Sequence, residues 1–230
     1  MFVPRKTRPE KGNRYYITIS AGGWSRAIKG KPTDPDCDVL HNCVGYAFGR
    51  FHEIAGRREM DLFDPVNAEA IFENAKKHGL KVGKVPKVGA LIVWQKGQQG
   101  GTDGAGHVAV VEEIGVGGDI TTSESGYGAK YPFWTAHYKP PYNYKSGYTF
   151  LGFVYQPEPV PAQTIRKGDK GAAVTWMQEH LARAGYLRAR EVDGDFGKIT
   201  LGALLAFQFE NSLQVDGVCG AATKKALGVI

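Results

Sequence analysis

The chain has 230 residues, 42% of them hydrophobic, and a formal net charge of +6, an ordinary globular composition with enough apolar mass for one large domain or two modest ones. Lys and Arg outnumber Asp and Glu by 20 to 16 up to residue 164 and by 9 to 7 after it, so no basic arm or tail exists and nucleic acid drops down the list of partners. Three cysteines leave at least one free thiol rather than a disulfide framework, and no apolar run is long enough for membrane insertion.

In chain order, residues 1 to 36 read as loop packed on a core, with Arg14 to Ile19 as a possible edge strand. Met1 to Arg8 lacks the apolar middle of a signal peptide, so the expectation is synthesis in a cytoplasm with no export route of its own. Asp38 to Arg50 is the stretch around which the rest is organised. Val44, Ala47, Phe48, Phe51 and Ile54 follow the spacing of one buried helical face, which puts Cys43 in the first turn behind Asn42 as N-cap. The positive end of that helix favours thiolate over thiol. Asn67 to Gly79 predicts a second helix, with Asn67 as cap and Ala68, Ile71, Phe72 and Ala75 as its stripe.

Ala90 to Trp94 predicts a buried strand, and a glycine-rich loop from Gly97 to Gly106 leads to His107 at the head of a second apolar strand, His107 to Ile114. Asp119 to Gly126 predicts a neighbouring strand carrying Glu124. A thiolate needs an imidazole partner, and the imidazole needs an acceptor to orient it, so two adjacent strands presenting His107 and Glu124 would complete what Cys43 begins. The aromatics from Tyr127 to Phe150 read chiefly as packing, with a substrate groove as the competing use, and Leu151 to Tyr155 reads as a closing strand.

Cys43 in Asn-Cys-Val-Gly-Tyr-Ala, then His107 in Gly-His-Val-Ala-Val-Val, then Glu124 in Ser-Glu-Ser-Gly-Tyr, in that order, resemble the CHAP family of cysteine- and histidine-dependent amidohydrolases and peptidases. The resemblance covers roughly residues 1 to 155 and implies a papain-like α+β fold that cleaves amide bonds in peptidoglycan. It implies Cys43 as nucleophile, His107 as base and Glu124 as the residue that orients the ring. The related NlpC/P60 type usually has Asp-Cys-Ser-Gly at the nucleophile, and Asn42-Cys43-Val44-Gly45 with a Glu as third residue favours CHAP. Asp34, Asp36 and Asp38 alternate as in the calcium loop of some relatives, but Leu40 and Gly45 stand where further polar groups are expected, so the stretch reads as a solvated connection. Cys37 and Cys219 read as incidental or buried, and neither a metal nor an organic cofactor is expected.

Gln156 to Thr164 is proline-rich and stiff, and marks a domain boundary. Beyond it, Asp193-Gly194-Asp195-Phe196-Gly197 with Thr200 returns 23 residues later as Asp216-Gly217-Val218-Cys219-Gly220 with Thr223. Helical patterns fall at about 171 to 184, 200 to 211 and 221 to 227. Together with Gly168 to Gly171, Gln178, Tyr186 and Gln208, these resemble the small three-helix type 1 peptidoglycan-binding domain. The turn glycines and aspartates read as loop-shaping.

The expected architecture is therefore α+β, a papain-like catalytic domain over 1–156, a linker over 157–164 and a small three-helix wall-binding domain over 165–230. The resemblance implies an endolysin-type hydrolase of bacterial peptidoglycan, with an autolysin of the same chemistry or a non-catalytic wall-binding protein as the alternatives.

Overall fold

The computed structural model describes residues 2–16, 42–56, 62–64, 66–98, 105–127, 132–157 and 159–228. Of the expected edge strand Arg14 to Ile19, Arg14 to Tyr16 form a turn closed by the Tyr16 N–H on the Asn13 carbonyl at 3.1 Å, and Ile17 to Ile19 lie outside the described residues, as do the aspartates 34, 36 and 38, Cys37 and His41. The chain divides into two compact units, Met1–Pro157 and Glu158–Ile230.

The first unit is α+β. Helix α1 (Cys43–Ala55) forms where the apolar stripe requires it, with Val44, Ala47, Phe48 and Phe51 buried, and ends at Gly56 in the left-handed conformation. A 3-10 turn (Ala68–Ala70) runs into α2 (Ile71–Lys77). Asn67 makes no side-chain cap bond there. The tight turn replaces the expected cap, because the Ala70 N–H reaches the Asn67 carbonyl at 2.9 Å.

Among the described residues six strands make one antiparallel sheet: β1 (Val82–Gly83), β2 (Leu91–Lys96), β3 (His107–Ile114), β4 (Ile120–Glu124), β5 (Trp134–Tyr138) and β6 (Tyr148–Val154), in the order β1-β6-β2-β3-β4-β5. Strand β2 starts one residue later and runs two residues further than the sequence pattern indicates, because Gln95 and Lys96 pair with Thr149 and Tyr148 of β6. The same pairing extends β6 towards its N-terminus. Strand β5 is an edge strand within the aromatic tract and carries His137, which pairs with Thr121 of β4. Its residues alternate between half-buried and exposed, a weak period-2 signal beside so many rings.

Alternation along β2 and β3 sends Leu91, Val93, Val108 and Val110 into the cluster with α1 and α2, and Ile92, Trp94, Ala109 and Val111 into a second cluster on the other face. That second layer is closed by Tyr138, Tyr142, Tyr144, Tyr148 and Phe150, and the Trp94 indole donates to the Tyr142 carbonyl at 2.7 Å. Most of the aromatic tract is thus packing. The N-terminal segment crosses α1 at Gly49, where a Cβ would lie 2.2 Å from the Tyr16 ring.

The second unit has helices α3 (Ala172–Arg183), α4 (Lys198–Glu210) and α5 (Ala221–Leu227) around Val174, Met177, Leu181, Phe196, Leu204, Phe207, Cys219 and Leu227. The repeat seen in the sequence is a repeat of hydrogen bonding. The Gln178 amide donates towards Asp193 Oδ1 at 2.8 Å, the Asp195 carbonyl at 3.1 Å and Thr200 Oγ1 at 3.0 Å, and accepts from the Gly194 N–H at 2.7 Å. Gln208 does the same with Asp216 at 2.9 Å, the Val218 carbonyl at 3.0 Å, Thr223 at 3.2 Å and the Gly217 N–H at 2.9 Å. Helix α4 begins at Lys198 rather than Thr200 because Thr200 is buried in its first turn as a partner of Gln178.

The end of the proline-rich stretch is tied to this unit. Lys224 on α5 is buried and donates to the Pro161 carbonyl at 2.7 Å, the Ala162 carbonyl at 3.3 Å and the Gln163 carbonyl. Among the described residues no helix is long and apolar enough to cross a membrane.

Candidate active site

Cys43 is the first residue of α1 and is partly buried. Asn42, in an extended conformation, caps the helix as its sequence position indicates: its Oδ1 accepts from the Val44 N–H at 2.8 Å. The first turn contains no acidic residue, so nothing there offsets the positive end of the helix dipole.

His107 opens β3 and Glu124 closes β4, and the antiparallel register Val110↔Ser123 brings these two ends together. The His107 Nε2 and Glu124 Oε2 atoms are 2.7 Å apart, with the carboxylate fully buried and the ring 5% exposed. With Nε2 engaged, the ring's other nitrogen is left for the thiol of Cys43, which is near enough to be one of the causes that raise the imidazole. The structure thus brings together all three residues that the sequence singles out.

Burial works against a charge on His107, but the hydrogen bonds and charges of Cys43 and Glu124 outweigh it and raise the imidazole to about 9. Its proton is therefore held through neutral pH. Glu124 in turn is fixed by two donors at its second oxygen, Thr122 Oγ1 at 2.6 Å and the Tyr138 hydroxyl at 2.8 Å. Burial, then the Glu124 charge, push the Tyr138 hydroxyl upward, so it stays protonated and donating.

The backbone before the histidine has a specific requirement. Gly106 sits at φ +74°, and a Cβ there would lie 2.4 Å from the Trp94 carbonyl oxygen, so only glycine lets the chain enter β3 at this point. The imidazole is sandwiched among aromatic rings: Tyr144 stacks on it at 4.4 Å between centroids and 13° between planes, Trp134 at 6.1 Å and 10°, and Trp94 at 5.8 Å and 24°. Beside it opens a groove of about 470 Å³ lined by Trp134, Tyr138, Tyr144 and Lys145. Part of the aromatic tract therefore does face a cavity.

Thr122 and Tyr138 were not legible as site residues. For Thr122 a signal existed, since it lies two residues before Glu124 on one strand and must share its face. For Tyr138 none existed, because its position depends on the pairing of β5 with β4. Among the described residues no group of three or more His, Cys, Asp or Glu side chains could hold a metal ion.

Residues 34–126 match the CHAP domain model, and residues 170–227 match the putative peptidoglycan binding domain. The first match takes in Cys43, His107 and Glu124 and ends before Trp134, Tyr138 and Tyr144. The probable autolysin LDP of Staphylococcus aureus (strain NCTC 8325 / PS 47) is 40% identical over 86 residues, 37% of this chain and 28% of that protein. N-acetylmuramoyl-L-alanine amidase CwlL of Bacillus licheniformis is 37% identical over 67 residues, 29% of this chain and 19% of that protein. Among solved structures, a Burkholderia AP3 phage endolysin is 37% identical with a TM-score of 0.27, covering 28% of this chain and 24% of that one. The chain spans less than a third of the length of each of these relatives.

Proposed function

We propose that this chain, which carries a CHAP domain followed by a putative peptidoglycan binding domain, is an endolysin-type peptidoglycan hydrolase. It cleaves an amide bond, at the N-acetylmuramoyl-L-alanine junction or in the stem or crossbridge, through Cys43, and its C-terminal unit anchors it to the bacterial wall. The observation that carries this reading is the buried Glu124–His107 pair, 2.7 Å long, with a cysteine at a helix start near enough to the imidazole to help raise it.

The ring holds the proton of Cys43, and the sulfur attacks the amide carbonyl carbon. The oxyanion that forms lies at the start of α1, where the Cys43 backbone N–H and the helix dipole stabilise it. Collapse of the tetrahedral adduct breaks the C–N bond, and His107 delivers its proton to the leaving amine. A water molecule, losing a proton to His107, then attacks the thioester, releasing the carboxylate and regenerating the thiol. Throughout, Glu124 keeps one ring nitrogen occupied and the other aimed at sulfur and substrate. None of these steps calls for a metal or an organic cofactor.

The test is digestion of purified walls, with the released fragments identified by mass spectrometry. Wild type releases fragments with a new amino terminus, which also identifies the bond cut. Cys43→Ala releases at least about a thousandfold less, in line with loss of one member of a coupled catalytic set, yet still sediments with walls. Release by Cys43→Ala at the wild-type rate would refute the assignment.

A further inference from the structure

We propose that Glu112 is a positioning residue for this site: its carboxylate holds together the three elements that carry Cys43, His107 and Glu124, and so sets their alignment. The proposal rests on the catalytic reading above.

Glu112 lies on β3, five residues after His107, and is 2% exposed. The pairing of β3 with β4 steps from Val111↔Thr122 to Glu113↔Thr121, so Glu112 is the extra residue of a β-bulge. Bulges recur beside active sites. Here the side chain is aimed at helix α1, where Arg50, seven residues after Cys43, grips it with both arms of its fork: Nε to Oε1 at 2.9 Å and Nη2 to Oε2 at 2.8 Å. Oε1 also accepts from the hydroxyl of Ser123 at 2.7 Å, the residue just before Glu124 on β4. Oε2 also accepts from the Arg5 backbone N–H at 2.9 Å, from the N-terminal segment. Each oxygen thus has two donors, drawn from α1, β4 and the N-terminal segment.

Stability alone gives a poor account of this arrangement, since a buried ion pair can often be replaced by apolar residues at no loss. What a bidentate guanidinium–carboxylate pair supplies is direction, because its two parallel bonds fix both distance and angle. Arg50 is about 10 Å along the helix from Cys43 at 1.5 Å per residue, so a slide of α1 against β3 at Glu112 moves the thiol by the same amount against the ring. A misplacement of about 1 Å in a reacting pair can slow catalysis on the order of a hundredfold.

The experiment uses the full chain with Ser123→Ala, Arg50→Lys and Glu112→Gln, and three readouts: kcat and KM on a soluble muropeptide, thermal midpoint, and the pH dependence of Cys43 alkylation by iodoacetamide. Arg50→Lys keeps the charge and removes the fork. The expected result is KM within about twofold of wild type, with kcat lowered roughly 10- to 100-fold in Arg50→Lys and Glu112→Gln and less in Ser123→Ala. The alkylation profile should shift in the same order. Folded variants with wild-type kcat and an unchanged alkylation profile would overturn the proposal, as would kcat losses that merely follow the unfolded fraction. If Glu112→Gln fails to fold, the other two variants decide by the same criteria. A wild-type protein that leaves the muropeptide intact refutes the hydrolase reading instead, and the alkylation profile still tests the role of Glu112.

Discussion

Replacing Glu124 by Gln should remove a pH-dependent part of the stability of the first unit. His107 is raised from its ordinary 6.5 to about 9 in the folded protein. At about 1.4 kcal/mol per pH unit, that difference is roughly 3 kcal/mol, a large share of the 5–15 kcal/mol that holds a domain together. The sign follows from the direction of the shift. Below pH 6.5 the imidazole is protonated in both folded and unfolded chains and the contribution is fully present. Between 6.5 and about 9 the unfolded chain sheds its proton while the folded one keeps it, so stability falls as pH rises. Glu124→Gln keeps a hydrogen-bond acceptor and removes the charge, leaving burial to work against the imidazolium. Urea unfolding of wild type and variant at pH 6 and pH 9.5 isolates the effect, because contributions elsewhere in the chain cancel in the difference. Because Cys43 still raises the imidazole in the variant, Glu124 accounts for only part of the shift, and the variant should be less stable by about 1–2 kcal/mol at the lower pH, with most of the gap closed at the higher one. A gap independent of pH would show that Glu124 does not hold the charge on His107.

Gln208→Ala should destabilise the isolated second unit by about 2–4 kcal/mol, from about three hydrogen bonds at 0.5–1.5 kcal/mol each, and Gln178→Ala should match it within a factor of two; urea melts followed through Trp176 fluorescence check both, and losses under about 1 kcal/mol would refute the shared role. A fragment starting at residue 158 should melt roughly 5–15 °C above one starting at 165, because the shorter fragment lacks the three carbonyls that Lys224 binds, a difference of about 1–2 kcal/mol in a unit this small; equal midpoints by calorimetry would show the contacts to be idle.

What the sequence revealed, it revealed through local pattern. The apolar spacing after Asn42 placed Cys43 at a helix start, and the glycine-rich loop ending at Gly106 led to His107 at the head of a strand, although the need for glycine at 106 itself emerges only from its backbone and the nearby Trp94 carbonyl. The Asp-Gly turns gave away the internal repeat, although the glutamines that unite each half act across 15 or more residues in one half and 8 to 15 in the other. Residues whose roles depend on long-range pairing stayed hidden. Glu112 read as part of an apolar run, though a carboxylate at the position after Val108 and Val110 points at the helix face and demands a partner. Its partner, Arg50, is 62 residues away and joins it only once α1 lies on the sheet. Lys224 was invisible for the same reason, and with it the anchoring of the proline-rich stretch.

The proposed catalytic residues and the groove come from different parts of the first unit. Cys43, His107 and Glu124 lie within residues 34–126, whereas Trp134, Tyr138, Tyr144 and Lys145, which wall the groove, follow that segment. Variation in β5 and the turn after it can therefore reshape the groove without touching the thiol or the imidazole. Tyr138 joins the two parts, since its ring lines the groove while its hydroxyl donates to Glu124. A group seated against that ring touches a donor to Glu124, the hydrogen-bond partner of His107. The groove thus borders the His107–Glu124 pair through the Tyr138 hydroxyl.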